Sequence, residues 1–280
     1  MGVMTFDALG LGALDYLPCR YGNSKLLFRG PKRDLDQPYV AFIGGTETYG
    51  KFLAKPFPVL VEEEIGKTAA NFGVPNAGID VFVNDPFILG AAAQADVAVI
   101  QVLGAQNMTN RFYAVHPRRN DRFVSASSLL ATIYREVDFA DFHFTKHMLT
   151  RLLEVSPDRF ATVLQELQQA WLARMRLMLS QVRGKSILLW FSEHKPRDSG
   201  RGPPQSIGND PLFITRQMMD EVAGHATHVV EVVASPRARV MGTEGMIFAE
   251  MEAMAAEEML GQQAHIEAAD AVVAALHRIL

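Results

Sequence analysis

The residues with the clearest chemical potential lie just after apolar runs of the sequence. The run YVAFI is followed by GGTETYG, which contains the hydroxyl of Thr46 and the carboxylate of Glu47. Amide side chains follow another apolar run at Gln106 and Asn107, and His265 begins a C-terminal helical pattern. Nucleophilic hydrolysis requires a hydroxyl, a base and groups that donate hydrogen bonds to an oxyanion. The alternative is a tight turn that requires small residues and a helix cap.

Five short runs rich in Val, Ile and Leu predict strands that are buried on both faces, as in a parallel sheet. The runs are Tyr39–Ile43, Thr68–Phe72, Val97–Val102, Ser186–Phe191 and His228–Val233. Helical patterns are predicted at Phe52–Ile65, Phe87–Gln94, Phe139–Glu154, Pro157–Val182, Thr215–Val222, Thr243–Met259 and His265–Leu276. This alternation favours a three-layer α/β/α sandwich with a central, mostly parallel five-stranded sheet.

The predicted sheet determines where a site is expected. Ligands of open parallel sheets bind beyond the carboxyl ends of the strands. The segments that follow the first three strands, and whatever the C-terminal helix brings back to them, are therefore expected to form the site. Residues 1–38 contain Gly, Pro and mixed charge and are predicted to form an irregular N-terminal extension, and residues 39–280 are predicted to form the α/β domain.

Four segments carry a family resemblance. GGTETYG, NFGVPNAG, VLGAQN and QQAHIEAADAVVAAL resemble, in this order, conserved blocks of the SGNH (GDSL-like) hydrolase family. The resemblance implies a flavodoxin-like fold and hydrolysis of a carboxylic ester, such as an acyl group on a carbohydrate. It also implies these roles: nucleophile Thr46, general base His265, partner of the base Gln262, oxyanion donors Gly73 and Gln106, and a block position next to them at Asn107.

The sequence departs from the family pattern at the reacting groups. Gly45 replaces Asp, Thr46 replaces the nucleophilic Ser, and Gln262 replaces the acidic partner of the base. An amide can orient an imidazole, but it does not stabilise an imidazolium as a carboxylate does. Glu47 is a spare carboxylate that could reach the base or could interact with the positive end of the following helix.

Three functions are consistent with these departures. The first is a divergent esterase that uses Thr46. The second is a catalytically degenerate protein of the same fold that binds a sugar or a protein partner in the crevice. The third is a transferase that uses the crevice together with the long polar loop at residues 191–211.

Two other groups of residues give weaker indications of a binding site. Gly44 and Gly45 could bind a phosphate at a helix start, but the glycine-rich dinucleotide pattern and the Gly-Lys-Ser/Thr pattern are absent. His143 and His147 have the i, i+4 spacing of zinc ligands, without the Glu of the HExxH motif. Neither a metal nor a cofactor is therefore predicted.

Composition limits the function classes further. Hydrophobic residues make up 49% of the chain, charged residues 21%, and the formal net charge is −4, which argues against a nucleic-acid partner. The single cysteine, Cys19, excludes an internal disulfide. With no apparent signal sequence or membrane span, a cytoplasmic protein is expected. A Met-rich stretch at residues 241–260 suggests adaptable packing, such as an interface in a homo-oligomer.

Overall fold

The computed structural model describes residues 14–198 and 206–280. Residues 1–13 of the predicted extension, where a signal sequence was not expected, and residues 199–205 of the polar loop lie outside the described residues. The strands are β1 (Tyr39–Gly44), β2 (Thr68–Gly73), β3 (Val97–Gln101), β4 (Tyr113–His116), β5 (Arg119–Ala126), β6 (Lys185–Ser192) and β7 (His228–Val233). Strands β4 and β5 form a separate antiparallel hairpin.

The central sheet has the strand order β2-β1-β3-β6-β7. All four neighbouring pairs are parallel. Counted within the sheet alone, this is the 2-1-3-4-5 order of doubly wound folds. The predicted α/β class, the five strands and their parallel arrangement are confirmed; β1 and β3 are buried along their whole length, whereas the edge strand β7 is only partly buried.

Helices cover the sheet on both faces. They are α1 (Thr46–Tyr49), α2 (Phe57–Ile65), α3 (Asp80–Val83), α4 (Pro86–Gln94), α5 (Ser128–Ile133), α6 (Thr145–Val155), α7 (Pro157–Gln181), α8 (Arg216–Ala223), α9 (Pro236–Met241), α10 (Ala253–Glu257) and α11 (Gln262–Ile279). Two 3₁₀ segments lie at Phe139–Asp141 and Glu250–Glu252. Alternate residues of β1 enter two separate cores, one with α2 and α11 and the other with α4 and α7.

Helix α7 agrees with its prediction to within one residue. Ser156 accepts a hydrogen bond from the Arg159 N–H, and Pro157 occupies the first turn, where its missing N–H costs nothing. The predicted helix at Phe52–Ile65 begins instead at Phe57, because Phe52 has a left-handed φ of 66° and Pro56 precedes the first turn in an extended conformation.

Two further helix predictions needed correction, and one pair of strands was missed. The helix predicted at Phe139–Glu154 is divided into a 3₁₀ turn and α6, because Phe144 is extended. The helix predicted at Thr243–Met259 is wrong over its first half: Gly242, just before it, and Gly245, within it, have φ values of 50° and 83°. The β4–β5 hairpin was not predicted.

Met251 and Met254 are strongly exposed, and a subunit interface at the Met-rich stretch stays a prediction. Among the described residues, no helix is both long and apolar enough to cross a membrane.

The described part of the N-terminal segment packs against the sheet domain. Arg29 is buried and its guanidinium donates to four carbonyl oxygens in the turn after α1. The acceptors are Tyr49 O at 3.3 Å, Gly50 O at 2.6 Å, Leu53 O at 2.6 Å and Ala54 O at 3.0 Å. This clamp fixes the backbone between α1 and α2, which lies beside the carboxyl edge of the sheet.

Replacing Arg29 with Met should lower the free energy of unfolding by about 3 kcal/mol, because buried carbonyls lose their donors. Arg29→Lys should recover only part of this loss, since one ammonium group does not reproduce the planar fork. Urea denaturation measures both. The exposed Arg135→Met is the matched control and should change stability by less than about 0.5 kcal/mol. Equal effects at the two positions would contradict the clamp.

Candidate functional site

A cavity of about 470 Å³ opens at the carboxyl edge of the sheet. Gly45 and Thr46 line it after β1, Gln101 at the end of β3, and Ser192 at the end of β6. The cavity is therefore at the edge where the sequence predicted a site, because parallel strands bring their carboxyl ends together. Its volume is in the range of small-molecule sites, but its lining is largely polar.

The side chain of Gln101 links β3 to the turn after β1. Its Oε1 accepts hydrogen bonds from Thr48 Oγ1 at 2.6 Å, Gly45 N at 2.9 Å and Thr48 N at 3.3 Å. Three donors on one oxygen fix the orientation of the amide, so that Nε2 must point the other way. A Cβ at Gly44 would lie 2.4 Å from Gln101 Oε1, so that this position requires glycine.

The nitrogen of the Gln101 amide bonds to the carboxyl group of Glu47. Gln101 Nε2 donates to Glu47 Oε2 at 2.8 Å, and the half-buried Glu47 carboxyl lines the cavity. Burial raises the pKa of Glu47, the hydrogen bond from Gln101 lowers it in part, and the charge of Asp210 raises it further. Glu47 lies in the first turn of α1, and its interaction with the helix end stays a prediction, whereas its contact with Gln101 is a specific link to β3.

A second amide–carboxylate pair lines the same cavity. Gln106 Nε2 donates to Asp210 Oδ1 at 2.8 Å, and Gln106 Oε1 is buried without a hydrogen-bond partner among the described residues. Asn107 Oδ1 accepts from Thr145 Oγ1 at 2.6 Å, and Asn107 Nδ2 donates to Asn76 O at 3.4 Å. Both predicted amides therefore line the cavity, and both are oriented by partners within the protein.

Thr46 also lines the cavity, where it was predicted to act as the nucleophile. Its Oγ1 accepts a hydrogen bond from Asn76 N at 2.9 Å and lies 3.4 Å from Asn76 Oδ1. The predicted oxyanion donor Gly73 lies elsewhere: its N–H donates to Asn71 Oδ1 at 2.8 Å, and its α-carbon packs tightly against the backbone of α1. In this structure the Gly73 N–H is already paired.

The imidazole of His265, the predicted base, is buried next to the rings of Phe57 and Phe191. Its Nδ1 accepts a hydrogen bond from Phe57 N at 3.1 Å. A backbone N–H can only donate, so Nδ1 is unprotonated and the neutral ring carries its proton on Nε2. Burial and, to a smaller extent, the nearby Arg29 charge together lower the pKa of His265 to about 3. His265 shares no hydrogen bond with Thr46 in the described parts of the chain.

Gln262, the predicted partner of the base, bonds to the backbone before α2. Its Nε2 donates to Lys55 O at 3.2 Å. The structure thus brings Thr46, Glu47, Gln106 and Asn107 to one cavity, whereas Gly73, Gln262 and His265 are not among the residues that line it. The catalytic roles of these residues stay predictions.

The histidines considered as zinc ligands are both exposed, and the ring of His147 packs edge-on against Phe142. Within residues 14–198 and 206–280, no three His, Cys, Asp or Glu side chains form a group that could hold a metal ion.

Sequence reasoning missed several site residues. Gln101 had one signal, since it is a polar residue at the end of the otherwise apolar strand VAVIQ. Asp210 lies within the loop predicted to face this edge, although it was not singled out. Glu257 and Glu258 were assigned to a helix with no functional role, and they line the cavity.

The burial of His265 makes stability depend on pH. The unfolded chain binds a proton at this residue below about pH 6.5, whereas the folded chain resists protonation until about pH 3. The free energy of unfolding should therefore fall with acidification by up to about 1.4 kcal/mol per pH unit from this residue. In His265→Asn, whose Oδ1 can accept from Phe57 N, this contribution should disappear. Denaturation curves from pH 7 to pH 4 measure the difference; parallel pH dependences in the two proteins would contradict it.

The chain is similar to solved structures of other proteins. A lipase from a goat rumen metagenome has 13% sequence identity and a TM-score of 0.41, with 85% of this chain and 97% of that chain covered. A possible lipase from Chitinophaga pinensis has 9% identity and a TM-score of 0.42, with 86% and 98% covered. No curated protein matches the sequence. A family model described as "Domain of unknown function (DUF6473)" matches residues 4–280, and the chain belongs to this family.

Proposed function

We propose that the cavity binds a sugar or a similar polyhydroxylated small molecule, and that it does so without a Thr46–His265 hydrolytic pair. The observation that carries this proposal is the lining itself. Carboxylates and side-chain amides surround a volume of about 470 Å³, and hydrogen bonds within the protein already orient them. Such groups accept from and donate to hydroxyl groups, and their preorganisation limits the entropy lost on binding.

The position of His265 supports binding over ester hydrolysis. A general base must accept the proton of the nucleophile through a hydrogen bond or one water molecule. With Nδ1 occupied by Phe57 N–H, the remaining ring nitrogen is a donor, and a pKa of about 3 makes it a weak base. The acidic side of the cavity also disfavours ligands that carry a phosphate or a carboxylate.

Neutral hexoses and disaccharides should therefore bind saturably, and their phosphorylated or acidic counterparts should not. Asn76 lines the cavity with a left-handed φ of 55°, which glycine also adopts, so Asn76→Gly removes the side chain without backbone strain. This change should weaken sugar binding by about 2–10-fold, the effect of losing one hydrogen bond. Isothermal titration calorimetry measures it.

Asn84→Gly is the matched control, because Asn84 is exposed at the end of α3 and does not line the cavity. It should leave sugar affinity unchanged. Absence of saturable binding to every sugar tested would reject the proposal, as would equal affinities for neutral and phosphorylated sugars.

Ester hydrolysis by Thr46 is the second candidate function, favoured by the presence of the Thr46 side chain in the cavity wall. The binding proposal predicts no turnover of short-chain aryl esters or acetylated sugars that depends on Thr46 or His265. Turnover that is lost in Thr46→Ala, kept in Thr46→Ser and lost in His265→Asn would replace the binding proposal with this one. Turnover that survives all three changes would reject the triad.

A further inference from the structure

Among the described residues, negatively charged side chains outnumber positively charged ones around the cavity. Within the described residues, its lining includes one cationic side chain, Lys146 on α6, and five carboxylates. The carboxylates are Glu47, Glu193, Asp210, Glu257 and Glu258. A cleft lined mainly by one sign of charge focuses the field and raises the local concentration of ligands of opposite sign.

An unpaired acceptor gives a second, independent indication. Gln106 is 5% exposed, lines the cavity, and has a buried Oε1 with no hydrogen-bond partner among the described residues. Its Nε2 is already committed to Asp210, so the amide cannot turn over to pair this oxygen without losing that bond. Buried acceptors without partners are costly and rare in folded proteins. A ligand that presents an N–H or O–H group here would satisfy it.

Glu47 is the least solvated of these carboxylates. It lies on α1, with Gln101 of β3 as its direct partner, and it shares the cavity with Lys146, with the acidic groups of the loop after β6 and with those of α10. Burial and the Asp210 charge both raise the pKa of Glu47. A cation placed beside this carboxyl would stabilise its charged form.

We propose that the natural ligand is an amino sugar or a similar polyol with a protonated amine, whose ammonium group binds between Glu47 and Asp210. The proposal rests on the sugar-binding function and assigns the charge of the ligand. The hydroxyl groups would contact the amides, and the ammonium group would offset the excess of negative charge among the described lining residues.

Matched ligand pairs test the charge directly. Each hexose is compared with its 2-amino and 2-N-acetylamino counterparts, in the gluco, galacto and manno configurations, by calorimetry of the full chain. The amino sugar should bind at least about tenfold tighter than the other two, as for a hydrogen bond that gains a charge. Affinity for the amino sugar should rise with pH above the ordinary range of Glu, since protonated Glu47 does not attract a cation.

Three variants separate charge from shape. Glu47→Gln should abolish most of the preference for the amine, measured as the ratio of the affinities for the amino sugar and the neutral hexose. Asp210→Asn should reduce this preference. Glu64→Gln is the control, since Glu64 is exposed on α2 and does not line the cavity. It should leave the preference unchanged. Circular dichroism establishes that each variant is folded before it is titrated.

The outcomes distinguish the two proposals. Equal affinity for the three members of each set would overturn the amine inference and leave sugar binding intact. Equal binding of amino sugars and cyclohexylamine, with no binding of neutral sugars, would support the amine inference and overturn the sugar function. Amine preference unchanged in Glu47→Gln would overturn the role of Glu47. No saturable binding of any of these ligands would overturn both proposals.

Discussion

The organisation of the cavity depends on the side-chain amide of Gln101. This residue ends β3, and its oxygen accepts three donors from the turn after β1, two from backbone nitrogens and one from a hydroxyl. Because the oxygen is fully used, the nitrogen is directed at Glu47. One side chain therefore determines the conformation of the turn and the position of the most buried carboxyl in the cavity. The nearby Arg29 clamp fixes the backbone that follows.

His265 belongs to a different part of the molecule. It lies in the core between the sheet and α11, where Phe57 and Phe191 flank its ring and the Phe57 N–H is bonded to Nδ1. Hydrogen bonding and low dielectric act in the same direction here, since both keep the ring neutral. Thr46, by contrast, is paired with Asn76 on the cavity wall. The two residues on which a hydrolytic mechanism would depend are thus held by separate hydrogen-bond systems.

The sequence predicted the sheet well because its strands are short, continuous apolar runs separated by helical patterns. Proline and glycine positions explain the errors in the helix predictions. Helix α2 begins later than predicted because the extended Pro56 precedes it, and Gly242 and Gly245 do not adopt helical conformations. The edge that carries the site also followed from the sequence. Contacts such as Gln106 with Asp210, which are 104 positions apart, did not, because side-chain pairing across loops has no periodic signal. The tautomer of His265 likewise depends on Phe57, 208 positions away.

The protonation state of the His265 ring tests most directly whether His265 is separated from the cavity. In a chain labelled with ¹⁵N at histidine, two-dimensional NMR identifies which ring nitrogen carries the proton and whether the ring titrates. We expect a proton on Nε2, none on Nδ1, and no titration between about pH 8 and pH 5. A proton on Nδ1 together with titration near the ordinary pKa of histidine would free Nε2 to accept a proton, and would contradict the separation of His265 from the cavity.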